Sequence, residues 1–191
     1  MILLLTRHGE TDYNVSGRYC GSTDIPLNAA GISQAHELAR RIQGVAFDAV
    51  VSSPMLRARQ TAEIVSASLK LRYVVYRQFA ERNMGVYEGL TRDEARERYP
   101  GLWNRQCTRK PDDAPDGGET LRQVCGRIDD GMAQLRRDFA DKTVLLICHG
   151  FAARAVHRYC HGLSFEAMAG FVLGNCEVAQ YRLHGEPPSI S

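Results

Sequence analysis

An apolar run, Met1 to Leu5, passes directly into Thr6-Arg7-His8-Gly9-Glu10-Thr11. Such a run, bounded by a polar break containing glycine, predicts a buried strand that ends in a loop. The pattern recurs late in the chain, where Thr143–Cys148 closes on His149-Gly150. Ligands of open α/β sheets collect outside the carboxyl ends of the strands. If the two strands are neighbours, both imidazoles stand above one edge of the sheet. Arginine is a permanently charged planar fork suited to phosphate, and a neutral imidazole is a nucleophile near neutral pH. Arg7 beside His8 therefore suggests phosphoryl transfer to a histidine.

Further strands are predicted at Ala49–Ser52, Tyr73–Tyr76 and Val178–Leu183, with the first at Ile2–Leu5. Between them lie helical patterns. Ile32, Ala35, Leu38, Ala39 and Ile42 recur at helical spacing, with Asn28 as the cap. Ser53-Pro54 opens a second helix, Ser53 capping and Pro54 in the first turn, with Leu56, Ile64, Val65 and Leu69 for its core face. The longest stripe covers Glu119–Phe139, and a last major helix spans Phe151–Cys160. Strands alternating with helices predict a three-layer α/β/α sandwich around a mostly parallel sheet. The stretch 77–118 differs, with one short helix near Thr91–Tyr99 and a polar, proline-rich run from Lys110 to Gly118. A long insertion of this kind is commonly an active-site cover.

At 191 residues the chain is long enough for one sizeable core. Its net charge of +2, with both signs mixed throughout, points to neither a nucleic acid nor a membrane partner. The opening apolar run is too short for a signal peptide and no run approaches a spanning helix, so the cytoplasm is the expected location. The cysteines are scattered without a C-x-x-C pair and are expected to be reduced packing residues.

Arg57 falls near the first turn of the helix after Ser53-Pro54, where amide donors and the positive dipole end favour an anion. Two arginines, two histidines and a helix N-terminus would then surround one small volume. Such a volume suits a phosphate dianion and calls for no metal or other cofactor.

Leu5-Thr6-Arg7-His8-Gly9-Glu10-Thr11, Asn14, Gly31, Ser53-Pro54 with Arg57 and Gln60-Thr61, Glu81 with Gly85 and Glu88-Gly89, Gly117-Gly118-Glu119, and His149-Gly150 occur in an informative order. Together they resemble the histidine phosphatase (phosphoglycerate-mutase-like) superfamily, small phosphatase branch, along nearly the whole chain. The resemblance implies the phosphoglycerate-mutase-like sandwich as a single domain over 1–185, with the cover at about 77–118 and a loose tail over 186–191. It implies a histidine acid phosphatase-type phosphoric monoester hydrolase. His8 would be the nucleophile; Arg7, Arg57 and His149 would bind phosphoryl oxygens and stabilise the charge that builds in transfer. Asn14 would be a further donor to phosphate, and Glu81 the proton donor to the leaving alcohol, later the base for water. Neighbouring Arg7 and Arg57 should keep His8 neutral, as attack requires, and a bound dianion favours the protonated Glu81 that the leaving group needs.

Plainer roles suit the other candidates. His36 and His184 are expected to be solvated. His157 and His161 stand four apart on one helix with Cys160 between; a third clear ligand is missing, so a surface helix is expected rather than a metal pair. Glu10, Glu88 and Glu119 match the resemblance but suit structural hydrogen bonding or capping, Glu119 at a helix start above all. Asn175 resembles a loop asparagine near the pocket. Arg18, Tyr19 and Cys20 follow the nucleophile and could touch substrate. Solvation is the expectation for Arg82, Arg105, Arg109 and Lys110, with contact to an acidic substrate group as the alternative.

The resemblance also covers mutases, in which a longer insertion carries an Arg-Arg pair to grip a phosphoglycerate. Here Trp103 to Pro115 is short and has no adjacent arginines, which favours hydrolysis of a small phosphorylated metabolite. A non-catalytic phosphate-binding domain is the reading from another class. The retention of His8, Glu81, His149, Arg7 and Arg57 weighs against it. Monomer and homodimer are both compatible with the sequence.

Overall fold

The computed structural model describes residues 1–183. The expectations for His184 and for the tail at 186–191 lie outside the described residues. Five strands form one sheet: β1 (Ile2–Arg7), β2 (Ala49–Ser52), β3 (Tyr73–Val75), β4 (Thr143–Cys148) and β5 (Val178–Arg182). Their spatial order is β3-β2-β4-β1-β5, with only β5 antiparallel. The strands β1 and β4 are direct neighbours, Arg7 opposite Cys148, so the two His-Gly junctions leave the sheet side by side. On the other flank of β4, Ser52 stands opposite Ile147, which sets Ser53 beside the same edge.

Both faces of the sheet are covered because alternate side chains meet different layers. Leu3, Leu5, Val144 and Leu146 pack with helices α6 (Leu121–Asp138) and α7 (Gly150–His161). Leu4, Leu145 and Ile147 pack on the opposite side with α2 (Ala29–Arg41) and α3 (Leu56–Leu69). The predicted stripe of α6 is buried from Leu121 through Leu135. On α2 the side chain of Ile32 is 43% exposed, and the buried residue of that turn is Gly31. Asn28 caps α2 as expected, its Oδ1 accepting the Gly31 N–H at 2.8 Å.

Helix α3 begins later than the sequence suggests. Met55 is its N-cap and Pro54 lies outside it; the Ser53 hydroxyl accepts the Met55 N–H at 3.3 Å and also meets His149 Nε2 at 2.6 Å. Helix α6 starts after Thr120, which makes a capping box with Gln123, and not at Glu119. Strands β3 and β5 each end one residue short of expectation.

The stretch 77–118 folds over the carboxyl edge of the sheet. It carries two 3-10 turns, helix α4 (Arg92–Arg98) and helix α5 (Pro100–Asn104), with a small core of Tyr87, Ala95, Leu102 and Cys107. The six cysteines are free, and Cys107, Cys125, Cys148 and Cys176 are buried.

The loop after β1 (with the short helix α1, Asp12–Val15) rests on α2 through two glycines. A Cβ on Gly9 would lie 2.4 Å from the Gly31 carbonyl oxygen, and one on Gly31 would lie 2.1 Å from the Glu10 carbonyl oxygen. Backbone atoms cannot yield as a flexible side chain can. Gly31→Ala should therefore destabilise the protein by about 1–3 kcal/mol, measured as a lower urea midpoint at unchanged slope.

Candidate active site

His8 leaves β1 at 3% exposure. Its Nδ1 lies 2.6 Å from the Gly9 carbonyl oxygen. A carbonyl can only accept, so Nδ1 carries the ring proton and Nε2 keeps a free lone pair. Burial, followed by the charges of Arg57 and Arg7, holds the His8 pKa well below the usual histidine range. The sequence anticipates the two arginines; the larger cause is desolvation. Gly9 N–H donates to Thr61 Oγ1 at 3.1 Å, and Asn175 Nδ2 donates to the His8 carbonyl at 2.8 Å, which fixes the backbone at His8 from both sides.

The second imidazole, His149, lies with its ring centroid 5.0 Å from that of His8. It is fully buried and sits behind the cavity wall, while Arg7, His8, Asn14, Arg57 and Glu81 line the cavity itself. Burial, then Arg57, lowers its pKa well below the histidine range. Arg7 Nε, Arg57 Nε and His149 Nδ1 are buried with no hydrogen-bond partner among the described residues. Unmet guanidinium donors beside His8 suit an anion.

Arg57 is 1% exposed, and its two terminal nitrogens donate to the carbonyls of Thr23 and Gly21, each at 2.9 Å. Those carbonyls neutralise no charge. Glu88 fixes that loop by accepting from the Ser22 N–H and from the Ser22 and Thr23 hydroxyls. Asn14 Oδ1 accepts from Thr11 N–H at 3.1 Å and from Asn175 Nδ2 at 3.3 Å, which leaves its Nδ2 as the free donor on the cavity wall. The expected role of Asn175 near the pocket matches this placement.

Glu81 accepts three backbone N–H bonds, from Arg82 at 2.9 Å, Phe151 at 3.1 Å and Ala152 at 3.2 Å. The segment bearing it is held by Arg127 of α6, which donates to the carbonyls of Gln78, Ala80 and Glu81 and pairs with Glu119 at 2.8 Å. Glu119 is thus a structural hydrogen-bonder, and so are Glu10, which accepts from Asn28, and Glu88.

At the N-terminus of α3 one amide, the Leu56 N–H, donates to Asp24 Oδ1 at 2.6 Å. One expectation needs correction. Arg82 is not solvated: it is 2% exposed, donates to the carbonyls of Glu119 and Thr108, and lies over the Phe151 ring. Arg105 is exposed and pairs with Asp113. His36 is exposed. His157 is half-buried, stacked on Phe171 and 2.9 Å from the Tyr181 hydroxyl, while His161 is exposed.

The cavity, about 740 Å³, also takes in Arg18, Tyr19 and Cys20, as the sequence allowed. It further includes Arg92, Arg154, Phe165 and Met168, which sequence reasoning missed. Arg154 had a legible signal, since it stands one helical turn beyond Gly150 on the same face. Phe165 and Met168 had none.

A mostly parallel α/β/α sandwich that gathers a neutral histidine and unpaired guanidinium nitrogens at one sheet edge defines a phosphate-handling α/β protein. The sequence comparisons place it more closely. The model of the histidine phosphatase superfamily (branch 1) matches residues 3–191, and the chain belongs to that family. It is 38% identical over 152 residues, 80% of this chain and 73% of the relative, to the uncharacterized phosphatase PhoE of Bacillus subtilis. It is 30% identical over 196 residues, 97% of this chain and 92% of the relative, to a 2,3-bisphosphoglycerate-dependent phosphoglycerate mutase of Methylobacterium. The chain spans 49% of the length of the Mycobacterium tuberculosis bifunctional protein Rv2228c, at 36% identity. Among solved structures, mycobacterial glucosyl-3-phosphoglycerate phosphatase Rv2419c in complex with VO3 superposes with a TM-score of 0.85 at 28% identity, covering 94% of this chain and 90% of that one.

The two buried histidines make stability depend on pH. Their folded pKa values are lowered, so the unfolded chain takes up protons first as pH falls. The stability they support is full above the unfolded value of about 6.5 and is lost as pH falls through it toward the lowered folded values. Unfolding free energy should decline below about pH 6.5 by up to about 1.4 kcal/mol per pH unit for each histidine. His149→Asn should flatten that slope in thermal melts between pH 7 and 5; an unchanged slope would sink the assignment.

Proposed function

We propose that the protein is a phosphomonoesterase that hydrolyses a small phosphorylated metabolite through a phosphohistidine on His8, without a metal. The observation that carries this reading is the free lone pair at His8 Nε2 beside the unmet donors of Arg7, Arg57 and His149. The lone pair attacks phosphorus as the ester P–O bond breaks, and the leaving alkoxide takes a proton from Glu81. Water then attacks the phosphohistidine while Glu81 accepts its proton, the N–P bond breaks, and the pair returns to Nε2. Arg7, Arg57 and Asn14 hold the three equatorial oxygens, whose charge grows in each transition state. With the Ser53 hydroxyl donating to His149 Nε2, the proton of that neutral ring sits on Nδ1, behind the wall that His8 lines. The guanidinium charges supply what a divalent cation supplies in other phosphoryl-transfer sites.

A mutase is the second reading, favoured by the identity with the Methylobacterium enzyme. The absence of adjacent arginines between Trp103 and Pro115 weighs against it.

Phosphate release from a panel of monoesters in EDTA tests the choice. The panel includes p-nitrophenyl phosphate, 3-phosphoglycerate, phosphoserine, sugar phosphates and α-ribazole phosphate. Release should survive chelation, vanish in His8→Ala, and fall by roughly 100-fold or more in Glu81→Gln for substrates with a poor leaving group. Abolition by EDTA, or activity retained in His8→Ala, would overturn the mechanism. Isomerised phosphoglycerate without net phosphate release would establish the mutase.

A further inference from the structure

Glu81 follows the 3-10 turn Arg77–Phe79 and belongs to no helix or strand. A carboxyl group on an irregular segment meets a leaving group reproducibly only if its backbone is fixed from elsewhere. Arg127 of α6 provides that fixation with all five of its N–H donors. Nη1 donates to the carbonyls of Gln78 at 2.7 Å and Ala80 at 2.8 Å, and Nη2 to the Glu81 carbonyl at 3.0 Å. Nε and Nη2 take the two carboxylate oxygens of Glu119, each at 2.8 Å. Glu119 in turn accepts the Asn83 N–H at 2.9 Å, and its own N–H donates to the Asn83 carbonyl at 2.9 Å. These bonds bracket Glu81 from Gln78 to Asn83.

The same pair closes the base of the stretch 77–118. Val86 N–H donates to the Asp116 carbonyl at 3.0 Å, so the two ends of the stretch run side by side up to Glu119. On α6, Gly131 stands one turn beyond Arg127, and a Cβ there would lie 2.7 Å from Gln78 Cβ and 3.1 Å from Phe79 Cζ. The missing side chain lets the turn Arg77–Phe79 rest directly on the helix, within reach of the guanidinium. Stability alone does not account for the pair, because desolvation offsets much of the attraction in a half-buried ion pair. Neither side chain lines the cavity, so both reach a substrate only through the groups they hold.

We propose that Arg127 and Glu119 are positioning residues for the proton donor. They pin the Glu81 backbone to α6 and thereby keep its carboxyl group at the first amides of α7, independently of the rest of the stretch 77–118. The inference rests on the phosphomonoesterase reading, in which Glu81 protonates the leaving alkoxide.

Two esters that differ in their need for that proton test it. The leaving group of p-nitrophenyl phosphate departs as a stable anion, whereas that of an alkyl monoester such as glycerol 3-phosphate does not. In Arg127→Lys and in Glu119→Gln the ratio of alkyl to nitrophenyl kcat/KM should fall by roughly 10- to 100-fold. Arg127→Lys keeps the charge, which also acts on His149, and loses the fork. A merely structural role lowers both rates together and leaves the ratio unmoved. In Glu81→Gln/Arg127→Lys the ratio should equal that of Glu81→Gln, since a residue acting through Glu81 has nothing left to act on. An unchanged ratio in either single variant, or additive losses in the double variant, would overturn the proposal. Should the wild type hydrolyse neither ester, the phosphomonoesterase reading fails on its own, and amide hydrogen exchange then decides the positioning. The Phe151 and Ala152 N–H groups, bonded to the Glu81 carboxylate, should exchange faster in Arg127→Lys by roughly 10-fold, with the amides of β4 unchanged. Equal protection of Phe151 and Ala152 in the variant and the wild type overturns it.

Discussion

Everything at the site depends on the parallel pairing of β1 with β4. Arg7 lies opposite Cys148, so the residues that follow each strand, His8 and His149, emerge together, and His8 N–H donates to the Cys148 carbonyl at 3.0 Å. A slip of one residue would turn Leu3 and Leu5 to the opposite layer and carry His8 out of reach of its partners. The alternation of Leu3, Leu4 and Leu5 between two cores forbids that slip. The packing that stabilises the sheet is thus the same packing that sets the distance between the imidazoles.

The site solves two electrostatic problems with one device. A histidine that is to attack must stay neutral, while a dianion must find positive charge. Burial and the neighbouring guanidinium groups both lower the proton affinity of His8, and the guanidinium groups alone make the cavity receptive to an anion. Burial works against the charge of Arg7 as well, and Glu81 only partly offsets this. Carbonyl partners fix the geometry of Arg57 without neutralising it.

The sheet, its two His-Gly junctions and the outline of the phosphate end were legible in the sequence because strands buried on both faces read as continuous apolar runs. The residues that hold them were less so. Arg127 sits on the polar side of a regular helical stripe, and nothing in its local pattern tells that it binds three carbonyls preceding and including Glu81. Arg82 looked solvated because arginine in a polar segment usually is; its burial arises from contacts with Thr108 and Glu119, remote in sequence. At the start of α3 the Ser53 hydroxyl meets both the Met55 N–H and His149, ninety-six residues away, a contact no local pattern signals.

Carboxylates already take amides at two helix N-termini: the Leu56 N–H of α3 meets Asp24, and the Phe151 and Ala152 N–H groups of α7 meet Glu81. The guanidinium groups of the cavity keep their charge across the neutral pH range. Glu81 is anchored by backbone N–H bonds from the helix that follows His149, so its position follows the β4–α7 junction. Glu81 and His149 are thereby tied to one junction, and His8 on β1 is tied to it by the strand pairing. The geometry of the cavity's carboxyl-edge residues is thus set by backbone register.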